Sequence, residues 1–319
     1  MDKALLLLLM FWNIENFYDP YPSSQYNDAE YTTDGDKRWS YSRFAKKADD
    51  IAKMIVSAAD NESLPHIIAF AEVENRYVLD HLLGRTILKH YQNQYRIVHK
   101  DSPDPRGSDV ALLYDINSYK LLNTKFHKII SAQNDTLATR EILYAKFVGR
   151  QNTEDTLHIF VNHWPSKRGG GKRSQGRREA ASALLGRLAD SVILRHPEHI
   201  VIACGDFNTS QPNVDFGNVD AKPVGAFEDL KVGGSYKYKG KWEMIDNCFI
   251  FSPYGSNSCN VADSLGHKHF RFELLLFNHP YLLLPDKKYL GLKPRRTYIG
   301  PIYQGGVSDH LPLVLKVCR

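Results

Sequence analysis

The feature that most limits the fold of this chain is its large number of short apolar runs, separated by only a few stretches with helical periodicity. Helices are predicted at about 39–59, 77–88 and 173–194, where apolar residues recur at helical spacing. Strands are predicted at about 66–73, 95–100, 109–114, 125–131, 142–148, 156–162, 199–204, 226–230, 244–252 and 311–317. So many strands beside so few helices argue against a simple doubly wound sheet. The pattern favours an α/β or α+β fold with two sheets.

The length of the chain fits one large domain. With 319 residues and 43% apolar content it can bury a sizeable core, and we expect a single domain over residues 1–319. Residues 209–241 and 253–306 are rich in Gly, Pro, Asn, Tyr and Lys and have little periodicity. Because long loops in a compact domain are usually functional or mobile, we expect these stretches to rim the site.

Charge and cysteine content set only broad limits on function. The balance of 41 Lys and Arg against 36 Asp and Glu gives a formal net charge of +5, which is compatible with an anionic partner but does not require one. The four cysteines have no CxxC spacing, so they argue neither for a zinc site nor for a disulfide framework. No segment indicates an obligate protein partner.

The apolar segment 5–11 is interpreted as a buried first strand. It is too short to span a bilayer, and no small-residue cleavage site follows it. We therefore expect a soluble protein without an integral membrane segment. Localisation stays open, because export with a signal peptide that preceded residue 1 is compatible with the sequence.

Two polar motifs at the ends of apolar runs carry the chemistry. They are Gly205-Asp206-Phe207-Asn208, after the run 199–204, and Ser308-Asp309-His310, before the run 311–317. The first motif alone is common turn chemistry, since Asp and Asn side chains bond their own backbone. Together the two motifs place carboxylate, amide and imidazole groups where strands meet loops, which favours a metal-assisted phosphoester hydrolase.

The candidate metal ligands are carboxylates and an amide. Glu72 ends the run 66–73, Asp309 belongs to the second motif, and Asn13 and Glu15 occupy alternate positions of one extended segment. Alternate positions share a face, so Asn13 and Glu15 could approach one cation, although such a pair is often only a surface pair. Oxygen ligands favour Mg²⁺ or Mn²⁺, with Ca²⁺ as a further candidate. Glu74 competes with Glu72 for the same role.

Two histidines are candidates for proton transfer or phosphate binding. Neighbouring side chains diverge, so Asp309 can face the metal while His310 faces the phosphate. A histidine that acts as a base usually has its second ring nitrogen held by a carboxylate, and Asp246 is the candidate for that role. His163 precedes Trp164-Pro165 and fits a structural role as well as a catalytic one.

A basic stretch follows His163. Lys172 and Arg173, together with Lys167, Arg168, Arg177 and Arg178, flank three consecutive glycines and lead into the third predicted helix. This pattern suits contact with a phosphate backbone, and a solvated helix face explains it equally well.

The candidate residues lie in short sequence strings that follow one another along the chain. The strings are WNIEN (12–16), AEVEN (71–75), RGSDVALLYD (106–115), TRE (139–141), NHWPS (162–166), GDFN (205–208), ID (245–246) and SDH (308–310). In this order they resemble the endonuclease/exonuclease/phosphatase superfamily, which includes deoxyribonuclease I-like proteins, and the combination is most similar to bacterial endonuclease-like members.

The resemblance implies a four-layer α/β/β/α sandwich, in which two packed mixed sheets are flanked by helices and the site lies at one rim. It also implies a role for each candidate residue. Glu72 would be the principal metal ligand, with Asn13, Glu15 and Asp309 nearby. Asp206 and Asn208 would orient or activate water, and His310, paired with Asp246, would act as a base or a phosphate clamp. His163 would assist the leaving group, and Arg140 would contact phosphate.

The function expected from this set is a phosphodiesterase that depends on Mg²⁺ or Mn²⁺ and acts on nucleic acid as an endonuclease. One alternative is a phosphatase or a phospholipid or sphingolipid phosphodiesterase of the same fold, for which the aromatic stretches 236–242 and 270–281 could meet lipid or sugar. Another alternative is a non-catalytic module that binds a phosphorylated partner.

Overall fold

The protein is described from a computed structural model. The structure describes residues 5–60, 63–131, 135–167, 171–210, 214–217, 219, 221–224, 232–251, 260–262 and 269–319. The helices are α1 (Tyr41–Ser57), α2 (Arg76–Arg85) and α3 (Gly171–Ile193), with short 3₁₀ helices at Ala29–Tyr31, Ile87–Tyr91 and Pro280–Leu282. None of these described helices is both long and apolar enough to cross a membrane.

The strands of the described residues are numbered in chain order. They are β1 (Leu5–Phe17), β2 (Ile67–Val73), β3 (Tyr95–His99), β4 (Asp109–Asp115), β5 (Tyr119–His127), β6 (Ile142–Gly149), β7 (Thr156–His163), β8 (Ile200–Asp206), β9 (Ala221–Pro223), β10 (Tyr236–Tyr238), β11 (Lys241–Glu243), β12 (Asp246–Phe251), β13 (Asn260–Ala262), β14 (His269–Leu276), β15 (Leu283–Pro285), β16 (Leu292–Pro294), β17 (Tyr298–Ile299), β18 (Ile302–Tyr303) and β19 (Leu313–Cys318).

Two large mixed sheets form the centre of the molecule. The first has seven strands in the order β13-β14-β19-β1-β2-β4-β3, and the second has six in the order β5-β6-β7-β8-β12-β9. Each sheet contains one parallel pair, β1 with β2 and β7 with β8, and the other pairs are antiparallel. Because parallel strands run in the same direction, the carboxyl ends of each pair lie together at one edge of its sheet.

The strand residues divide between two apolar clusters according to the face on which they lie. On β7, Leu157, Ile159 and Val161 belong to the large core between the sheets. Phe160 lies on the opposite face, in a smaller core with Ala181 and Leu185 of α3. α1 and α2 pack against the first sheet and α3 against the second, which gives the expected α/β/β/α sandwich.

Side-chain caps fix where the first two helices begin. The Ser40 hydroxyl accepts a hydrogen bond from the Arg43 backbone N–H at 3.4 Å, and the Asn75 side-chain oxygen accepts one from the Val78 N–H at 3.2 Å. The predicted helices at about 39–59 and 173–194 are confirmed, as α1 and α3. The predicted helix at 77–88 is divided into α2 and a following 3₁₀ turn.

Most predicted strands are present, with three differences. β5 begins at Tyr119, earlier than the predicted 125. The predicted strand at 226–230 lies outside the described residues. The expectation of long loops over 209–241 and 253–306 is wrong in part, because these stretches contain β9 of the second sheet, β13 of the first sheet and the two-stranded ribbons β10–β11, β15–β16 and β17–β18. It is wrong above all for β14, which pairs with β19 inside the first sheet. The cause is the alternation of buried Phe270, Phe272 and Leu274 with more exposed residues, a strand pattern inside a loop-like composition.

Candidate active site

A cavity of about 520 Å³ opens where the carboxyl ends of both parallel strand pairs meet. The predicted site residues Glu15, Glu72, Arg140, His163, Asp206, Asn208, Asp309 and His310 all line it. Asn13 and Asp246 are buried directly beside it and bond to lining residues. Segments from sequence positions almost 300 residues apart therefore converge at one rim of the sandwich.

Glu72 projects from the end of β2 at an irregularity in the strand. Its φ is +64°, and the register with β4 shifts between Ala71 and Val73. A positive φ is unfavourable for a residue with a side chain and is found mainly where the surroundings enforce it. One carboxylate oxygen accepts a hydrogen bond from the Asn16 N–H at 2.8 Å. The irregularity re-aims the side chain, which is 20% exposed, into the cavity.

Asn13 connects the two sheets. Its Nδ2 donates to Glu72 Oε1 at 3.2 Å and to Asp206 Oδ2 at 3.1 Å. Its Oδ1 accepts a hydrogen bond from the Glu15 N–H at 3.1 Å. One amide thus fixes the spacing between the carboxylate of the first sheet and that of the second.

Glu15 does not follow the strand alternation assumed from the sequence. Its φ is +43° and that of Asn16 is +50°, so the chain turns after Asn13 and the shared-face argument fails at this position. One oxygen of Glu15 accepts from the Thr297 N–H at 2.6 Å, and the other is 3.5 Å from the Arg296 guanidinium. Burial first, and then the charge of Asp309, raise the pKa of Glu15 to about 7. Glu15 lines the cavity, but donors of the protein already occupy its oxygens.

Asp206, Asp246 and His310 form a compact buried group. Asp206 and Asp246 lie directly opposite each other on β8 and β12. His310 Nδ1 is 2.7 Å from Asp246 Oδ2, and its Nε2 is 3.9 Å from Asp206 Oδ2. The expected contact between Asp246 and His310 is therefore present.

The charges of this group shift its proton affinities. Burial lowers the pKa of His310, but the charge and hydrogen bond of Asp246 outweigh burial, and the net pKa is well above its ordinary value. Burial, followed by the charge of Asp246, raises the pKa of Asp206 to about 7. The arrangement favours an imidazolium at His310 beside Asp206, whose carboxylate has a higher proton affinity than an ordinary Asp.

The backbone around His310 is held by three hydrogen bonds. The Ser308 hydroxyl donates to the Asn13 carbonyl at 2.6 Å and accepts from the His310 N–H at 3.0 Å. The Trp12 indole N–H donates to the His310 carbonyl at 2.9 Å. The Ser308-Asp309-His310 motif is thereby attached to the end of β1.

Asp309 and His310 point apart, as expected for neighbours. Asp309 Oδ1 is 3.9 Å from His310 Nε2, beyond hydrogen-bond distance, and Asp309 Oδ2 is 2.8 Å from the Arg296 guanidinium. Arg296 therefore lies between the carboxylates of Glu15 and Asp309.

Asn208 and Arg140 share one backbone acceptor. The Asn208 Nδ2 and the Arg140 guanidinium each donate to the Trp164 carbonyl at 2.9 Å. The Asn208 N–H donates to Asp206 Oδ1 at 2.9 Å, and a second Arg140 nitrogen pairs with Asp104 Oδ2 at 2.9 Å. These contacts hold both side chains at the cavity wall.

His163 faces the two acids of the site from the end of β7. Its Nε2 is 3.7 Å from Asp206 Oδ2 and 3.8 Å from Glu72 Oε1. Burial, followed by the charges of Arg140 and Arg106, lowers the pKa of His163 well below its ordinary value. His163 is therefore neutral near pH 7, unlike His310.

Glu74, the competitor of Glu72, does not line the cavity. Its carboxylate accepts a hydrogen bond from the Asp19 N–H at 2.7 Å, and burial raises its pKa to about 9. Lys172 and Arg173 lie in the first turn of α3, and their side chains are outside the described part of the structure. Their role as substrate-binding residues stays a prediction.

Several lining residues were not singled out from the sequence. Arg106 lay inside the string 106–115, but its pairing with Asp104 at 3.1 Å had no sequence signal. Arg296 lay in the stretch expected to be loop, next to Arg295, where nothing distinguished it from a surface cation. Further lining residues of this kind include Tyr31, Lys37 and Tyr298, whereas Tyr236 and Tyr238 belong to the aromatic stretch 236–242 noted in the sequence.

A search for relatives places the chain in a family. The model of the Endonuclease/Exonuclease/phosphatase family matches residues 8–319. The chain belongs to this family. Membership supports a hydrolase of the phosphodiesterase or nuclease type, and members of the family generally use divalent metals. No curated protein gives a significant match.

Solved structures of the endonuclease/exonuclease/phosphatase fold superpose on nearly the whole chain. Truncated Caenorhabditis elegans TDP2 has 15% identity and a TM-score of 0.60, with 98% of this chain and 97% of that chain covered. A family protein from Bacteroides thetaiotaomicron has 15% identity, a TM-score of 0.57 and 98% coverage of both chains. TDP2 from D. rerio, complexed with single strand DNA product, has 12% identity and a TM-score of 0.56, with 98% and 99% covered. At these identities the likeness shows the fold.

Proposed function

We propose that this protein is a phosphodiesterase that depends on Mg²⁺ or Mn²⁺ and hydrolyses nucleic acid as an endonuclease. The observation that carries the proposal is the convergence of Glu72, Asp206, Asn208 and His310 on one cavity. Carboxylate, amide and imidazole groups there supply the functions that phosphodiester hydrolysis requires.

The donor atoms fit a hard divalent cation. Glu72 and Asp309 present carboxylate oxygens to the cavity, Asn13 lies beside Glu72, and oxygen donors suit Mg²⁺, Mn²⁺ and Ca²⁺. Burial, followed by the charge of Asp246, raises the pKa of Asp206, and a cation bound nearby would favour its ionised form. We assign the cation to Glu72, with Asn13 and Asp309 as further predicted ligands. Asp309 would offer Oδ1, because its Oδ2 pairs with Arg296 at 2.8 Å, and Asn13 would have to turn its amide, because its Nδ2 faces Glu72. When bound, it would neutralise charge on the phosphate oxygens.

Glu15 stays a predicted metal ligand, but it suits this role less well than Glu72. Its oxygens would have to exchange the Thr297 N–H and the Arg296 guanidinium for a cation. Arg296 already supplies positive charge between Glu15 and Asp309, so Glu15 is better suited to hold Arg296 and the 295–298 segment in place.

Asp206 is assigned the role of base for the attacking water. Its Oδ1 is fixed by the Asn208 N–H and its Oδ2 by the Asn13 amide, and a pKa of about 7 suits proton transfer near neutral pH. His310, held as an imidazolium by Asp246, would then donate a hydrogen bond to a phosphate oxygen. In this assignment Asp206 is the base and His310 is the phosphate clamp, a choice that the sequence alone left open.

Neutral His163 and charged Arg140 complete the site. His163 Nε2 lies near both Glu72 and Asp206, where a neutral imidazole can donate a hydrogen bond to an oxygen of the substrate. Arg140 lies at the wall with its guanidinium fixed by Asp104, which suits phosphate contact.

The rim of the cavity supports a nucleic-acid substrate. Lys37, Arg106 and Lys167 line it together with Tyr236 and Tyr238, and cations interleaved with aromatic rings suit a phosphate backbone with stacked bases. Tyr236 packs on His310 with ring centroids 4.8 Å apart. The TDP2 from D. rerio with single strand DNA product shares this fold and agrees with that substrate class.

Purified protein tests the proposal directly. Supercoiled plasmid, single-stranded DNA and RNA should be cleaved with added Mg²⁺ or Mn²⁺, and a chelator should stop cleavage. His310→Ala and Asp206→Asn should each abolish most of this activity, whereas His279→Ala, a histidine that does not line the cavity, should retain it. Cleavage of lipid or inositol phosphoesters without cleavage of any nucleic acid would overturn the substrate assignment.

A further inference from the structure

A second cavity, of about 290 Å³, lies on the outer face of the second sheet. It is bounded by the C-terminal half of α3 and by β5, β6 and β7, and it shares no lining residue with the candidate active site. His158 on β7 faces it because alternate residues of that strand, such as Ile159, point into the core between the sheets.

The lining of this cavity is strongly basic. Lys125 of β5, Lys146 of β6 and Arg195 after α3 line it, together with His127 and His196. Among the described residues no Asp or Glu contributes to the lining. The cavity therefore gathers three permanent positive charges without an acid between them.

Neither lysine side chain has a partner among the described residues. Lys146 is half-buried and Lys125 is exposed, and the ammonium group of each makes no hydrogen bond or ion pair in the described part of the chain. Lys146 lies directly opposite His158 across the β6–β7 pair. An anion bound between these ammonium groups would gain favourable electrostatic contacts.

Two acids lie near lining residues, and each has a partner. Glu141 pairs with Lys100 at 2.7 Å, and Glu198 lies 3.2 Å from His199 Nε2 and 3.8 Å from Nδ1 of the lining residue His196. Among the described residues, the Arg195 guanidinium donates only to the neutral carbonyl and hydroxyl oxygens of Ser191, at 2.7 and 2.8 Å, so these contacts do not balance its charge.

Two histidines of the cavity have lowered pKa values. Burial and then the charge of Lys125 lower the pKa of His127. Burial, then His199 and Lys146, lower the pKa of His158 to about 3. Burial is the larger cause of both shifts, and the neighbouring lysine charges add to it in the same direction.

We propose that this cavity binds a phosphate group, either free or carried by a nucleotide. Lysine ammonium and arginine guanidinium groups are the usual partners of phosphate oxygens, and clustered cations favour a doubly charged anion over chloride. The volume lies near the lower end of the range for small-molecule sites, which accommodates inorganic phosphate or one nucleotide. The site is separate from the candidate active site and does not depend on the proposed function.

The ring signals of His127 and His158 in nuclear magnetic resonance spectra provide a local test. Chelator-treated protein is titrated with dAMP and, separately, with inorganic phosphate, at constant ionic strength. We expect saturable shifts of these ring signals, with a Kd in roughly the millimolar range or below. Tighter binding of dAMP would identify a nucleotide as the source of the phosphate, and equal binding would identify free phosphate.

Variants connect the shifts to the lysines. Lys125→Gln combined with Lys146→Gln should weaken binding by roughly tenfold or more. Lys120→Gln, on the same strand but outside the cavity, should bind as the unmodified protein does. The single variant Lys125→Gln changes an exposed side chain and gives a second measurement if the double variant folds poorly. The proposal would be overturned if the ring signals did not saturate or responded equally to chloride. It would also be overturned if Lys125→Gln and the double variant bound phosphate and dAMP as tightly as the unmodified protein.

Discussion

At the scale of single residues, the site depends on a histidine between two acids. Asp206 and Asp246 lie opposite each other across β8 and β12, where like charges are unfavourable, and the His310 imidazolium offsets that repulsion. Asp246 bonds His310 directly, so its effect on the reaction passes through the histidine. Asp246 is therefore a positioning residue, which makes its variant informative.

Asp246→Asn should lower kcat by about 10²- to 10³-fold with a smaller change in KM. Loss of the carboxylate charge lowers the pKa of His310, so the fall of activity with rising pH should move to lower pH. Steady-state kinetics as a function of pH measure both effects. Asp286→Asn, which removes a carboxylate paired with Lys237 at 3.0 Å outside the cavity, is the matched control. An unshifted pH profile would exclude this role for Asp246.

Glu74 makes stability depend on pH. Its pKa in the folded protein is about 9, above the ordinary value of 4.5, so the unfolded chain releases its proton first as pH rises. The contribution of protonated Glu74 to the free energy of unfolding is therefore complete below pH 4.5 and is lost as pH rises toward 9. Glu74→Gln should therefore increase the free energy of unfolding at pH 8 by about 1–3 kcal/mol, with little change near pH 5.

Urea denaturation at the two pH values measures this difference. Glu179→Gln, at an exposed position of α3, should leave the pH dependence unchanged. Equal stabilisation of the Glu74 variant at both pH values would mean that the group titrates normally in the folded protein.

At the scale of elements, the site needs the close approach of β7 and β8. A Cβ at Gly205 would lie 2.4 Å from the Asn162 carbonyl oxygen, a backbone atom that cannot rotate away. Gly205→Ala should separate the ends of these strands, destabilise the protein by about 1–3 kcal/mol and move Asp206 away from Asn13. Thermal unfolding and nuclease assays would detect both effects.

Gly176→Ala is the matched control for that substitution. Gly176 lies in α3 with nothing within 4 Å of an added Cβ. Because alanine has the higher helix propensity, this variant should be stabilised by about 0.5–1 kcal/mol. If Gly205→Ala were equally stable and active, the strand ends would be more adaptable than their spacing indicates.

The elements also show what the sequence could predict. The helices, most strands and the positions of Glu72, Asp206 and His310 at strand ends followed from periodicity and motif order, because local patterns determine them. The turn at Glu15 did not, since a positive φ at two non-glycine residues has no local signal. The placement of Arg296 could not be predicted either. Arg296 contacts Glu15, which is remote in the chain, and Asp309, and it lies in a stretch whose composition resembles a loop.

At the scale of the whole molecule, a net charge of +5 matters through its distribution. Basic residues occur at the first cavity, at the second cavity and along the start of α3. If the start of α3 contacts a phosphate backbone, substitution of Lys172, Arg173 and Arg177 by Ala should reduce the salt dependence of nucleic-acid binding. The slope of log K against log salt concentration should fall in magnitude by about 1–2, since each lost phosphate contact accounts for up to about 0.9.

Binding measured at several salt concentrations decides between a contact surface and a solvated helix face. Substitution of Lys53, Arg85 and Lys89 by Ala, all exposed on the opposite outer layer of the sandwich, removes the same charge and provides the control. Long-range attraction depends on the total charge of the protein, whereas counterion release depends on which residues contact the phosphates. Equal salt slopes for the two triple variants would therefore mean that only the net charge affects binding. A lower slope for the α3 variant alone would assign the backbone contact to the start of that helix.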